Sequence, residues 1–136
     1  MDKTLQYLAL ARKGGMAELG EEPVGGAARA GKAYLIVVAS DAGDHTWRRA
    51  KAFAAGTDQQ TLRLPYTKDE MGFAIGRTAL AIAAITDVSM ALAMAASLPQ
   101  PSEEVVQVLK AKAEKAKKRK AEAKAHQKNV RFGKKK

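Results

Sequence analysis

Tyr34-Leu35-Ile36-Val37-Val38-Ala39 is an unbroken apolar run rich in β-branched residues, and its reading decides the fold. Side chains alternate between the two faces of a strand, so a run that is apolar throughout must be covered on both faces, as when helices flank a sheet. Its neighbours supply the covers. Before it, Pro23 sits where a first helical residue is favoured, ahead of Val24, Ala27 and Ala28 on one face, and that helix is predicted to end near Gly31. After it, Asp44 is predicted to cap a helix that buries Trp47, Ala50 and Ala54, leaves Arg48, Arg49 and Lys51 in water, and stops at Gly56.

Working outward, Thr4 to Lys13 carries Leu5, Leu8 and Ala9 at helical spacing and ends at Gly14-Gly15, with Met16 to Leu19 a brief strand beyond it. Downstream, Thr61-Leu62-Arg63-Leu64 alternates with period two, the pattern of a half-buried edge strand, and Pro65 closes it. Thr67-Lys68-Asp69-Glu70 has the spacing of a capping box and leads a helix that buries Met71, Ala74 and Ile75. Ala81 to Ile85 is a second wholly apolar strand. Thr86-Asp87 then turns the chain, with Asp87 as cap, into a helix with Val88, Ala91, Leu92 and Ala95 on its buried stripe. Helices and strands alternate throughout, which predicts an α/β fold with helices on both sides of a small sheet. Pro99 and Pro101 mark the end of this body, residues 1–100, and residues 101–136 form a Lys/Ala-rich tail. The tail restarts as a helix with Glu103 and Glu104 in its first turn. It carries Val105, Val108 and Leu109 as large apolar residues and is mostly Ala and Lys after Leu109, so it is expected to be a fraying, solvated arm, helical or disordered.

Charge divides the chain at the same place. The net charge is +10, yet residues 103–136 carry thirteen Lys and Arg against four Glu, leaving the body at +1. A neutral body with a cationic tail favours a polyanionic partner: each cation can replace a condensed counterion, giving affinity with little sequence information, while the bland alternative is a solubilising extension. In the tail, Val130-Arg131-Phe132-Gly133 offers one aromatic that can stack on a base or fill a protein groove, and His126 is a simple tail residue. The absence of cysteine removes disulfides and thiolate chemistry and suits a reducing cytoplasm, the expected location. No secretory signal is visible at the start. Thr78 to Leu98 has a length that would allow a membrane span, but Asp87 at its middle would cost about 2.5–3.5 kcal/mol there, and the stretch reads as strand, turn and helix.

Catalysis finds little support. No Gly-x-Ser-x-Gly, Walker or GxGxxG pattern occurs, and Gly25-Gly26 with Gly31 lacks the dinucleotide spacing, so no enzyme activity and no cofactor is expected. Asp41, Asp44 and His45 fit neither a calcium loop nor a zinc pair and read as a helix start. The segment from Gly20 to Gly26 is open to two readings. Its free backbone N–H groups and paired glycines suit a phosphate backbone, whereas Glu21 and Glu22 repel phosphate, although a carboxylate can accept a hydrogen bond from a base amino group.

Several motifs in order carry a family resemblance. Leu10-Ala11-Arg12-Lys13-Gly14-Gly15, Gly20-Glu21-Glu22, Gly31 to Ala42 with Thr46, Thr67 to Arg77, and Ala84-Ile85-Thr86-Asp87 together resemble the ribosomal protein L-seven-Ae family, especially its bacterial YlxQ-like branch, over residues 4 to about 98. The resemblance implies a three-layer α/β/α sandwich with a four-stranded mixed sheet. It also implies binding of RNA, typically kink-turns, gripped between the helix after the first strand and the loop after the last. The family's Gly-x-Asn-Glu-x-x-Lys motif falls on Gly20, Glu22, Pro23 and Gly26; only the glycine is kept, and the side chains that would read guanines of sheared pairs are absent. The loop after the last strand falls on Thr86, Asp87, Val88 and Ser89, with Val88 placed to touch flipped-out bases.

These lines converge on a ribosomal-protein-like, non-catalytic RNA-binding protein, expected to be a monomer, whose partners are structured RNA and possible ribosomal proteins. Shape recognition is assigned to Gly20, Glu22, Gly25, Gly26 and the Thr86 to Ser89 loop, phosphate contacts to Arg12, Lys13, Arg29 and Lys32, and salt-sensitive affinity to Lys117, Lys118, Arg119 and Lys120. The rival expectation is a protein-interaction module tied to the translation machinery, favoured by the missing base-reading side chains at Pro23 and Gly26. A DNA-compacting role rests on the tail alone, with no groove-reading helix motif beside it.

Overall fold

The computed structural model describes residues 2–133, with side chains described through Ala125. The elements are α1 (Lys3–Lys13), β1 (Ala17–Leu19), α2 (Glu21–Arg29), β2 (Leu35–Val38), α3 (Asp44–Ala54), β3 (Gln60–Arg63), α4 (Lys68–Ala74), β4 (Ile82–Ile85), α5 (Val88–Ala96) and α6 (Glu103–Gly133). The four strands form one mixed sheet in the order β1-β4-β2-β3, with β2 parallel to β3 and antiparallel to β4, and β4 antiparallel to β1. The two wholly apolar runs are therefore the two inner strands, and every residue of both is buried. The alternating strand β3 is an edge, as its pattern predicts.

Helices α2 and α3 pack on each other, α2 over β1 and β4 and α3 over β2 and β3; α1 packs with α4 and α5 in a separate layer. This is the α/β sandwich expected. The capping box at Thr67 is present in full, with the Glu70 N–H donating to Thr67 Oγ1 and the Thr67 N–H to Glu70 Oε1. Asp87 caps α5 by accepting from the Met90 N–H at 2.9 Å. Asp2 caps α1, and the Tyr66 hydroxyl donates to the same carboxylate at 2.7 Å. That hydrogen bond, helped by the Thr4 N–H, holds the Asp2 carboxyl below its ordinary value, while burial pushes the Tyr66 phenol up.

Four local expectations are corrected. The cap of α3 is Gly43, and Asp44 is the first helical residue, where its carboxylate faces the positive end of the helix dipole. Helix α2 starts two residues earlier than Pro23, behind Gly20 at φ +96°, a conformation glycine adopts without strain. Trp47 is only half-buried, and Ala50 is the one fully buried residue of α3. The start of α6 is also not a solvated arm: Val105 and Leu109 belong to the core, against α5. Among the described residues, no helix is long and apolar enough to cross a membrane.

Candidate nucleic-acid interface

Strand β4 ends at Ile85, and the chain leaves the sheet at Thr86, whose N–H donates to the Met16 carbonyl at 2.8 Å. Two grooves meet at this threonine. The first, about 500 Å³, is lined by Gly15, Glu18, Pro23, Gly26, Lys32 and Thr86, among others, and so joins the β1 side, the outer face of α2 and the turn after it. The second, about 220 Å³, runs from Tyr34 and Thr86 to Ser89 across to Ala113, Ala116, Lys117 and Lys120 of α6. Residues that are far apart in the chain, Gly26, Lys32, the Thr86 to Ser89 loop, Lys117 and Lys120, thus line two grooves that have Thr86 in common.

Helix α6 is held over this surface by a defined contact. Lys112 Nζ lies 2.9 Å from Asp58 Oδ1, donates to the Asp58 carbonyl at 3.2 Å and sits 5.4 Å from the centre of the Tyr34 ring. The hydrogen bond from Lys112 holds the Asp58 carboxyl below the usual carboxylate range. One turn beyond Lys112, Ala116 faces the groove with Ala113, and Lys117 and Lys120, three residues apart, stand on the same side of the helix. Lys118 and Arg119 are exposed and do not line the groove.

Other candidate residues distribute unevenly. Gly26 is open, with no atom within 4 Å of where a Cβ would stand. Gly25 is buried instead, its missing Cβ only 3.1 Å from the Phe53 ring and 3.2 Å from the Arg29 guanidinium, so it serves the contact of α2 with α3 and is turned away from the groove. Arg29 folds back over that position. Glu21 turns the same way, 3.4 Å from Arg49 Nε and 3.8 Å from His45 Nε2, with its Oε1 buried and making no hydrogen bond. Only Glu22 of the acidic pair stays exposed on α2. Arg12 and Lys13 are exposed in the last turn of α1, just before the groove residue Gly15. Asp87 spends its carboxylate on the α5 cap, and Val88 is 8% exposed, lying under α6 at the second groove. Ser89 is exposed beside it. The side chains of His126 and Phe132 lie outside the described residues.

Sequence reasoning passes over Gln59, which fixes the turn carrying Lys32. Buried in a polar stretch, its Oε1 accepts the Ala33 N–H at 2.9 Å and its Nε2 donates to the Ala28 carbonyl at 3.2 Å. Asp41, weighed above as a metal ligand, accepts the Lys68 N–H at 2.8 Å, and among the described residues no three metal-binding side chains gather.

Two solved structures share this architecture. A protein of unknown function from Bacillus halodurans C superposes with a TM-score of 0.68 at 25% identity, matching 74% of this chain and 100% of that one. The Giardia lamblia 15.5kD RNA binding protein superposes with a TM-score of 0.57 at 16% identity over 79% of this chain and 84% of its own. The likeness to the Giardia protein is one of fold. No protein-family model and no curated protein matches the chain.

Proposed function

We propose that this protein is a non-catalytic, ribosomal-protein-like RNA-binding protein that takes structured RNA, of the kink-turn or ribosomal type, into the surface around Thr86, with α6 adding electrostatic affinity. The supporting observation is that Thr86 belongs to both grooves, so the neutral body and the cationic helix present one shared surface to a ligand. The fold likeness to an RNA-binding protein agrees with this reading. Gly26 and the Thr86 to Ser89 loop admit the bent backbone, Lys32 meets phosphate from the body, and Lys117 and Lys120 meet it from the helix.

The four-residue basic cluster allows an internal control. Replacing Lys117 and Lys120 by Ala is expected to weaken binding to every structured RNA and to lower the slope of log K against log salt by about 0.7–0.9 for each phosphate no longer neutralised. Replacing Lys118 and Arg119 by Ala removes the same charge from the other faces of α6 and is expected to have the smaller effect. Equal effects from both pairs would reduce α6 to a non-directional charge. Placing a lysine at Gly26 is expected to strengthen kink-turn binding, measured by fluorescence anisotropy; no gain would argue for another pose.

The exposed side chains of Phe73, 79% accessible, and Leu10, 53% accessible, favour a second reading in which the body also docks on a protein of the translation machinery. Protein partners should survive nuclease treatment during co-purification, and RNA-mediated ones should disappear.

A further inference from the structure

A different cationic cluster lies on α3 and the edge strand. Arg63 of β3 stands with its guanidinium carbon 5.0 Å from the centre of the Trp47 ring, and Lys51, one turn after Trp47 on α3, places its Nζ 5.7 Å from the same ring. Arg48, the residue after Trp47 on α3, is exposed. Among the described residues none of these three cations has a carboxylate partner; the neighbouring Arg49 is the one taken up by Glu21. On a body whose net charge is only +1, this is a local excess that the fold leaves uncompensated.

The cluster is separate from the surface around Thr86. Leu35 pairs with Gln60 on one side and with Ile85 on the other, which puts Thr86 at the Gln60 end of β3. Arg63 pairs with Val38 at the opposite end, three residues or about 10 Å along the strand.

We propose that Trp47, Arg48, Lys51 and Arg63 form a second nucleic-acid contact that takes an unpaired, single-stranded segment. The half-buried indole is fixed by the body and holds two cations against its ring, so they are presented with little loss of rotamer freedom on binding. Bases stack on aromatic and guanidinium planes, and arginine forks bind phosphate in pairs of hydrogen bonds, so a single strand satisfies both the ring and the charges. An acidic peptide would meet the charges and leave the aromatic surface unused. The site does not depend on the groove at Thr86.

Trp47 is the sole tryptophan, which makes its fluorescence a reporter at the proposed site. The test titrates the full chain with a short oligouridylate while following both tryptophan emission and oligonucleotide anisotropy. Quenching is expected in the parent protein and in the Lys117→Ala, Lys120→Ala variant. In the triple variant Arg48→Gln, Lys51→Gln, Arg63→Gln, whose changes are all on exposed or half-exposed side chains, affinity read by quenching is expected to fall about tenfold or more, as when phosphate-binding cations are removed. Anisotropy showing binding without quenching would place the oligonucleotide elsewhere and overturn the proposal. Quenching that survives the triple variant would do the same, as would equal quenching by polyglutamate, which would mark a surface for acidic protein. Structured-RNA binding is scored separately through the Gly26 and Lys117/Lys120 variants, so failure of either idea leaves the other measurable.

Discussion

At Gly72 of α4 a single methyl group is too much. A Cβ there would lie 2.6 Å from the Ala79 Cα and 2.7 Å from its nitrogen, backbone that has no rotamer to yield with. Gly72→Ala should cost about 1–3 kcal/mol by overpacking, read as a lower Cm in urea with unchanged m. Gly26 is the opposite case, since open space and helical backbone mean that Gly26→Lys should raise stability, by up to about 1 kcal/mol from helix propensity alone, so a missing gain in RNA affinity would not be a folding effect. Gln59→Leu leaves the Ala33 N–H unpaired in the interior and the Ala28 carbonyl with backbone N–H partners only, and should cost about 1–3 kcal/mol, with faster amide exchange at Ala33. Gln59 is illegible in the sequence because its partners are 26 and 31 residues away and its neighbours, Thr57, Asp58 and Gln60, look like any polar loop. Gly25 looks like Gly26 for a related reason: which of two adjacent glycines faces inward depends on helix phase, and the start of α2 lies two residues before its proline.

Elements are most legible where burial on both faces leaves a composition signal, as in β2 and β4, or where a cap has a side-chain code, as at Thr67 and Asp87. Gly43 carries no such code, so the sequence points to Asp44 in its place. In α6 the apolar residues Val105 and Leu109 are visible while the surface they cover is not, because that surface is built from α5. The clamp that continues this docking, Lys112 on Asp58, spans 54 residues of chain. Its pH dependence follows from the lowered Asp58 carboxyl: the folded state favours the carboxylate, so the contribution is complete above the ordinary value of 3.8 and is lost as pH falls through the lower folded value. Docking of α6 should therefore be flat from about pH 5 to 8, with about 1 kcal/mol or less at stake because the Asp58 side chain is 74% exposed. Asp58→Asn should speed amide exchange from Val105 to Lys112 at neutral pH; unchanged exchange would assign the docking to Leu109 and Val105 alone.

For the whole molecule, the division into a neutral body and a cationic helix is legible from charge alone, whereas their meeting at Thr86 is not, since it depends on where α5 sends the chain after Ser97. The residues that converge there stand out in the sequence for separate reasons: the sheet order brings Gly26, Lys32 and Thr86 together, and the packing of α6 on α5 adds Lys117 and Lys120. The docking of α6 also sets a distance. From Leu109, its last core residue, to Gly133 the helix extends about 36 Å at 1.5 Å per residue. Under the proposed function the helix is a measuring rod laid out from the body, and its footprint on the RNA has a built-in length. Affinity should climb as the RNA is lengthened on the α6 side and level off once the rod is covered, which a series of duplex extensions would read directly.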